Sequence, residues 1–168
     1  LVPNQEAPTR ICWSDLNRSA MIRVPLGWSK MSNLAKKLNI QQQSDFIDPE
    51  GRQTVELRSP DGSAMVHLLL AGICLSAEWG LTHKDSLELA EKLYTKGNIF
   101  RDENLMRKLP ALPSSCVESA KYLLNKRDLY ERSGIFPPSV IEYMANLLKK
   151  ENDQHMNETL IDLPADDR

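Results

Sequence analysis

The sequence predicts an α+β fold, with a few antiparallel strands in the N-terminal third and a mainly helical C-terminal half. Three observations carry that prediction. Short stretches rich in Val, Ile, Thr and Trp, bounded by Pro, Gly or Asp, are confined to about the first sixty residues. Apolar residues recur at helical spacing over most of the remaining chain. With 168 residues, 41% of them hydrophobic, the chain can bury one core and is too apolar to be disordered.

The candidate strands are Thr9–Trp13, Ala20–Val24 and Gln53–Leu57. Between the second and third, Met31, Leu34, Ala35 and Leu38 share one helical face, so a short helix is expected inside the connection. The polar stretch "QQQSDFIDPEG" after it reads as loop. Pro60 to Ser63 makes a turn, and from Ala64 to Leu81 the chain is apolar on nearly all sides, as expected of a helix enclosed by a core. Thr82 and Asp85 resemble a capping pair for a helix through Leu87, Ala90 and Leu93, which Gly97 would stop. Ser115 and Glu118 form a capping box ahead of Val117, Ala120 and Leu124. Pro137 and Pro138 open a last helix whose Ile141, Met144, Ala145 and Leu148 share a face, with Lys149 and Lys150 suited to its negative end. The acidic residues from Asp162 to Asp167 read as a frayed tail.

Composition narrows the function classes. With 21 basic and 23 acidic side chains the formal charge is −2, so no global field draws nucleic acid or an anionic membrane. Cys12, Cys74 and Cys116 are odd in number and widely spaced, giving neither a disulfide framework nor a metal knuckle, and a cytoplasmic location is expected. The apolar run from Ala64 to Ala77 holds His67 and falls short of the roughly 20 residues that cross a bilayer. The leading residues carry neither an initiator Met nor a signal peptide, so the chain is expected to be a piece of a longer one. His67 reads as a hydrogen-bonded core residue, His83 and His155 as surface residues, and Trp13, Trp28 and Trp79 as packing. The segment "KKENDQ" reads as a solvated helix end.

Two stretches could carry chemistry. In "VELRSPDGSA", strand alternation turns Glu56 and Arg58 to one face and Val55 and Leu57 to the other. Taken alone, these charges are explained by a cross-strand ion pair on a solvated sheet face. "NRSAMIRVP", however, adds Arg18 at the turn into a strand and Arg23 near its end. Guanidinium groups suit planar phosphate or carboxylate recognition in fixed geometry. Three arginines with one acid make a candidate phosphoryl-transfer surface, because that chemistry needs positive groups around the equatorial oxygens and a carboxylate to hold a metal ion.

Together with "LVPNQEAP", these two stretches resemble the C-terminal part of the catalytic domain of bacterial glutamine synthetases, whose pattern is close to N-R-S-A-x-I-R-I-P and then E-x-R-x-P-D-x-x-A-N. "KYLLNKRDLYERSGIFPPSVIEYMANLLKKEN" is similar to that family's closing helices. The resemblance implies that residues 1–168 are the C-terminal portion of one catalytic domain. In it, 1–60 would be the strand and active-site part with an inserted connection at 26–51, 61–155 the helical part and 156–168 a tail. It implies an ATP-dependent ligase that joins ammonia to glutamate through a γ-glutamyl phosphate, with ATP and Mg2+ or Mn2+ as cofactors. Arg18 and Arg23 would hold the phosphates, with Arg18 also at the group in flight. Glu56 would ligate the metal, Arg58 would contact glutamate, and Glu6 would be the flap carboxylate that deprotonates ammonium. The implied partners are glutamate, ammonia, ATP and further copies in a homo-oligomeric ring, with no nucleic acid and no membrane.

Some residues depart from the family pattern. Thr54 stands where the family has a further phosphate-contacting arginine, which makes Arg52 the substitute candidate. Met65 replaces the Asn that closes the second motif, and Asn4-Gln5 replaces the flap's Gly-Tyr. Met106 occupies the place of a tyrosine that is adenylylated in some members, so no such control is expected. The family's other metal ligands lie upstream of these motifs, so the chain by itself is expected to be inactive. Two alternatives stay open: a γ-glutamyl ligase that uses another amine, and a non-catalytic regulatory or structural relative.

Overall fold

The computed structural model describes residues 7–25, 38–41, 54–132 and 134–161. Among them are three strands before residue 58 and seven α-helices after it. The fold is therefore α+β with a mainly helical half. The chain forms two compact units, one from Leu1–Asp61 and Leu87–Pro110, the other from Gly62–Ser86 and Ala111–Arg168. The helix expected near Met31, most of the 26–51 connection and the tail from Asp162 lie outside the described residues.

The first unit is built on a sheet of order β1-β2-β3, formed by β1 (Trp13–Asp15), β2 (Ile22–Val24) and β3 (Glu56–Leu57). The first strand begins at the end of the predicted Thr9–Trp13 stretch rather than covering it. β3 pairs antiparallel with β2, as expected, but β1 runs parallel to β2. A short connection normally implies a hairpin. Here the six residues from Leu16 to Met21 reverse direction twice, so that Ile22 donates its amide to Cys12 O at 3.1 Å and Leu16 to Val24 O at 2.9 Å. Leu16 takes φ 57°, the left-handed region, to begin that return.

Segment 94–99 closes the far edge of β1. Trp13 bridges Tyr94 in parallel, Thr95 donates its amide to Trp13 O, and the Trp13 and Tyr94 rings pack 4.7 Å apart. Cys12, Ala20, Ile99 and Leu109 form the buried cluster, with Leu93 of α2 (Ser86–Leu93) and Leu105 and Met106 of α3 (Glu103–Lys108) packed against it. Removing Ile99 and its neighbours from water contributes about 1.5–3 kcal/mol per large side chain. The same burial pushes the Cys12 thiol up.

The second unit contains α1 (Val66–Thr82), α4 (Cys116–Asn125), α5 (Arg127–Glu131), α6 (Pro138–Lys150) and α7 (Met156–Ile161). Its core is Leu75, Phe136 and Ile141, with Tyr130 edge-on to Phe136 at 5.6 Å. Pro138 starts α6, and Ile141 and Ala145 are buried on the predicted face. Ser115 caps α4 by accepting from the Glu118 amide at 3.0 Å. The Glu118 carboxylate reaches one residue further than a capping box requires, to the amide and hydroxyl of Ser114.

Four expectations are corrected in the helical part. α1 is not enclosed: only Leu75 along it is fully buried, because Leu68, Ala71 and Leu75 make one stripe while Val66, Leu70 and Ile73 lie on the opposite side, exposed. His67 is exposed as well, since a single residue step turns it about 100° from the stripe at Leu68. Thr82 does not cap the next helix; it closes α1, and its hydroxyl donates back to Glu78 O at 2.8 Å. α2 ends at Leu93, before Gly97, because Tyr94 and Thr95 join the edge of β1.

Candidate functional site

In the observed register Ser14, Arg23 and Glu56 stand side by side across the three strands, and Trp13, Ile22 and Leu57 form the row of the other face. Cross-strand adjacency brings Arg23 Nη2 to 2.8 Å from Glu56 Oε1, a charge-assisted hydrogen bond. Exposure rises along the row: Ser14 is buried, while the side chains of Arg23 and Glu56 are 20% and 39% exposed. Arg23 Nε is buried and has no partner among the described residues, so the guanidinium retains a donor that its ion pair does not use.

Arg58 lies just past β3. Its amide donates to Met21 O at 2.8 Å and its Nη1 to Ala20 O at 3.4 Å, which braces the end of the return between β1 and β2. Glu56 forms a cross-strand ion pair, as the ordinary reading of a charged strand face expects, and its partner is Arg23 because register sets the nearest charged neighbour.

Arg18 sits in the middle of the return, exposed, with no hydrogen bond or ion pair among the described residues. Its neighbours on both sides are tied down. Asn17 Oδ1 accepts from the amide and the hydroxyl of Ser19 at 3.0 and 2.8 Å, and Asn17 Nδ2 donates to Gly97 O at 2.7 Å. Ser19 Oγ accepts from the Ile99 amide at 3.1 Å. Neither Asn17 nor Ser19 is a candidate on the sequence reading, although Asn-x-Ser outside a strand is a known signature of a side-chain-closed turn.

The structure thus pairs Arg23 with Glu56 and ties Arg58 to the loop that carries Arg18. Glu6 and Arg52 lie outside the described residues. Among the described residues no three His, Cys, Asp or Glu side chains converge, so Glu56 offers a single ligand to any metal ion. Beside β1, Tyr94 Oη donates to Asp15 Oδ1 at 2.7 Å, which holds the Asp15 carboxyl below its usual range and raises the Tyr94 phenol. The second unit has an open groove of about 580 Å3 near Ser114, Lys121, Tyr122 and His155, and none of the described motif residues line it.

The family model for the glutamine synthetase catalytic domain matches residues 1–162. The chain is similar to the glutamine synthetase of Pyrococcus abyssi, 29% identical over 146 residues, which is 85% of this chain and 28% of that protein. The glutamine synthetase of Salmonella typhimurium is 26% identical over 161 residues, 92% of this chain and 28% of that protein. The 3-hydroxylaminophenol mutase of Cupriavidus pinatubonensis is 29% identical over 153 residues, 90% of this chain and 27% of that protein. The chain therefore spans little more than a quarter of the length of these relatives.

Proposed function

Because the chain belongs to the glutamine synthetase catalytic-domain family, we propose that its parent protein is an ATP-dependent ligase joining ammonia to glutamate. The observation that carries this reading is the convergence of both family motifs on one small sheet. Arg23 and Glu56 are in contact, and Arg58 is bonded to the loop that presents Arg18.

In this reading Arg18 and Arg23 bind phosphate oxygens of ATP, where planar guanidinium donors spread the charge that builds during transfer. Arg52 is the candidate for a further nucleotide contact. Arg58 orients glutamate, whose γ-carboxylate oxygen attacks the terminal phosphorus as ADP departs. The nitrogen of ammonia then attacks the γ-glutamyl carbonyl carbon and phosphate leaves. Glu6 takes the proton of ammonium, a task suited to a carboxylate shielded from water. Glu56 would be one ligand of the Mg2+ or Mn2+ that the family implies, which supplies charge neutralisation at the phosphates when bound. One carboxylate does not complete such a site, and none of these steps depends on an ion held by this chain alone.

The chain alone is expected to be inactive, and the parent is proposed to form a homo-oligomeric ring. A cytoplasmic location is consistent with three free cysteines and with the finding that no helix among the described residues is long and apolar enough to cross a membrane. The decisive experiment assays purified full-length protein with ATP and glutamate, comparing ammonium with a panel of amines. The highest kcat/KM is expected for ammonium. A preference for an organic amine would instead select the γ-glutamyl ligase, and absence of ATP turnover with every acceptor would select the non-catalytic relative.

A further inference from the structure

We propose that Asn17 and Ser19 are positioning residues for Arg18, holding the return loop so that its exposed guanidinium meets the nucleotide phosphates in a fixed place. This rests on the proposed role of Arg18 as a phosphate contact.

An arginine on a surface loop ordinarily samples many orientations, and a long side chain loses on the order of 2 kcal/mol of rotamer entropy when fixed. Binding that must place a guanidinium within a fraction of an ångström of a transferring group therefore gains from a rigid backbone beneath it. The return loop has no regular structure of its own, being a six-residue link between parallel strands that begins from a left-handed Leu16. Its rigidity comes from a closed set of hydrogen bonds around Arg18. Asn17 Nδ2 grips Gly97 O, the Ile99 amide grips Ser19 Oγ, and Asn17 Oδ1 joins the two by accepting from Ser19 twice.

Each group has a defined role in that set. The Ser19 hydroxyl donates to Asn17 and accepts from Ile99, so both of its capacities are used. The Asn17 amide has one orientation that satisfies all its partners, with oxygen toward Ser19 and nitrogen toward Gly97. The anchor on the other side is itself firm: Ile99 is 1% exposed within the buried cluster, and the Asn98 side chain caps the short 3-10 turn Ile99–Arg101 by accepting from the Phe100 amide. Ser19 and Ala20 are buried while Arg18, between Asn17 and Ser19, is exposed. The loop therefore buries Ser19, half-buries Asn17 and presents the arginine between them to solvent. Arg58 Nη1 on Ala20 O adds a brace from the segment that carries Glu56.

The test is a double-mutant cycle in the full-length protein, comparing Asn17→Ala, Arg18→Gln and the double variant by kcat/KM for ATP and by KM for glutamate. Asn17→Ala is expected to lower kcat/KM for ATP by on the order of 10-fold or more, with the glutamate KM within about twofold of the unmutated protein. In the Arg18→Gln background the same change is expected to add almost nothing, since Asn17 acts through Arg18. Asn17→Asp, which keeps the acceptor for Ser19 and loses the donor to Gly97, provides the same comparison should the alanine variant fail to fold. An unaffected Arg18→Gln enzyme would remove the premise that Arg18 contacts phosphate. A weakened Arg18→Gln enzyme beside normal Asn17 variants would overturn the positioning role and leave that premise standing. Full multiplicativity of the two losses would also overturn it, by showing that Asn17 works independently of Arg18.

Discussion

Arg23 and Glu56 show how a single register decides which charges meet. Both residues are candidates from the sequence, yet their contact depends on β2 and β3 aligning Arg23 opposite Glu56 and not one residue away, where a slip would send the two side chains to opposite faces. Leu16 makes the complementary point about backbone. Its φ of 57° is costly for a residue with a Cβ, and the residue is 61% exposed, so it gives little packing in return. Leu16→Gly is expected to stabilise the protein by up to about 1 kcal/mol, as relief of about 1–2 kcal/mol of strain is partly offset by the flexibility of glycine in the unfolded chain. A urea titration would show this as a higher midpoint, and a midpoint lowered by more than about 1 kcal/mol equivalent would mean that the side chain, not the strain, dominates there. The motif arginines are legible in the sequence because their residue types are chemically specific. The Asn17–Ser19 clip is not, because its other half, Gly97 and Ile99, is 80 residues away in the chain.

At the scale of the element, local signals locate the helices well and their surroundings poorly. The Ser115 cap and the Pro138 start are short-range features and stand where the sequence places them. The "KKENDQ" segment is more than a solvated end. Asn152 adopts φ 48° after α6, and Asp153 then turns its carboxylate onto the start of α4, accepting from the Cys116 amide at 2.7 Å and the Val117 amide at 3.3 Å. Burial pulls the Asp153 carboxyl up, but the hydrogen bonds from Cys116 and Val117 outweigh it and hold it below the usual carboxylate range. The Cys116 thiol is pushed up by burial and by the same carboxylate. A depressed folded-state pKa stabilises above the unfolded value of about 3.9, and that contribution is lost as pH falls through the folded one. Asp153→Ala is accordingly expected to lower stability by about 1 kcal/mol at neutral pH, as loss of an N-terminal cap does. The gap from the unmutated protein should close as the pH drops below about 4. Urea midpoints measured from pH 7 to pH 3 would reveal this, and a gap independent of pH would exclude the carboxylate as its source.

At the scale of the whole molecule, α1 is where sequence and structure diverge most. Its composition suits a helix surrounded by protein, yet Val66, Leu70 and Ile73 form an exposed apolar stripe opposite the buried side of Leu68, Ala71 and Leu75. Contiguous exposed apolar surface promotes association. The isolated chain is therefore expected to bind a hydrophobic dye and to sediment as a concentration-dependent oligomer, and Leu70→Ser with Ile73→Ser should return it to a monomer. A monomer without dye binding in the unmutated chain would count against this. Read alone, the sequence determined the α+β class, the family and the identities of the charged candidates, because each of these rests on local periodicity or on ordered residue types. The parallel pairing of β1 with β2, the choice of Arg23 as partner of Glu56 and the anchoring of the Arg18 loop were decided only by tertiary structure. Each of these depends on register or on contacts between distant segments, which local composition does not encode.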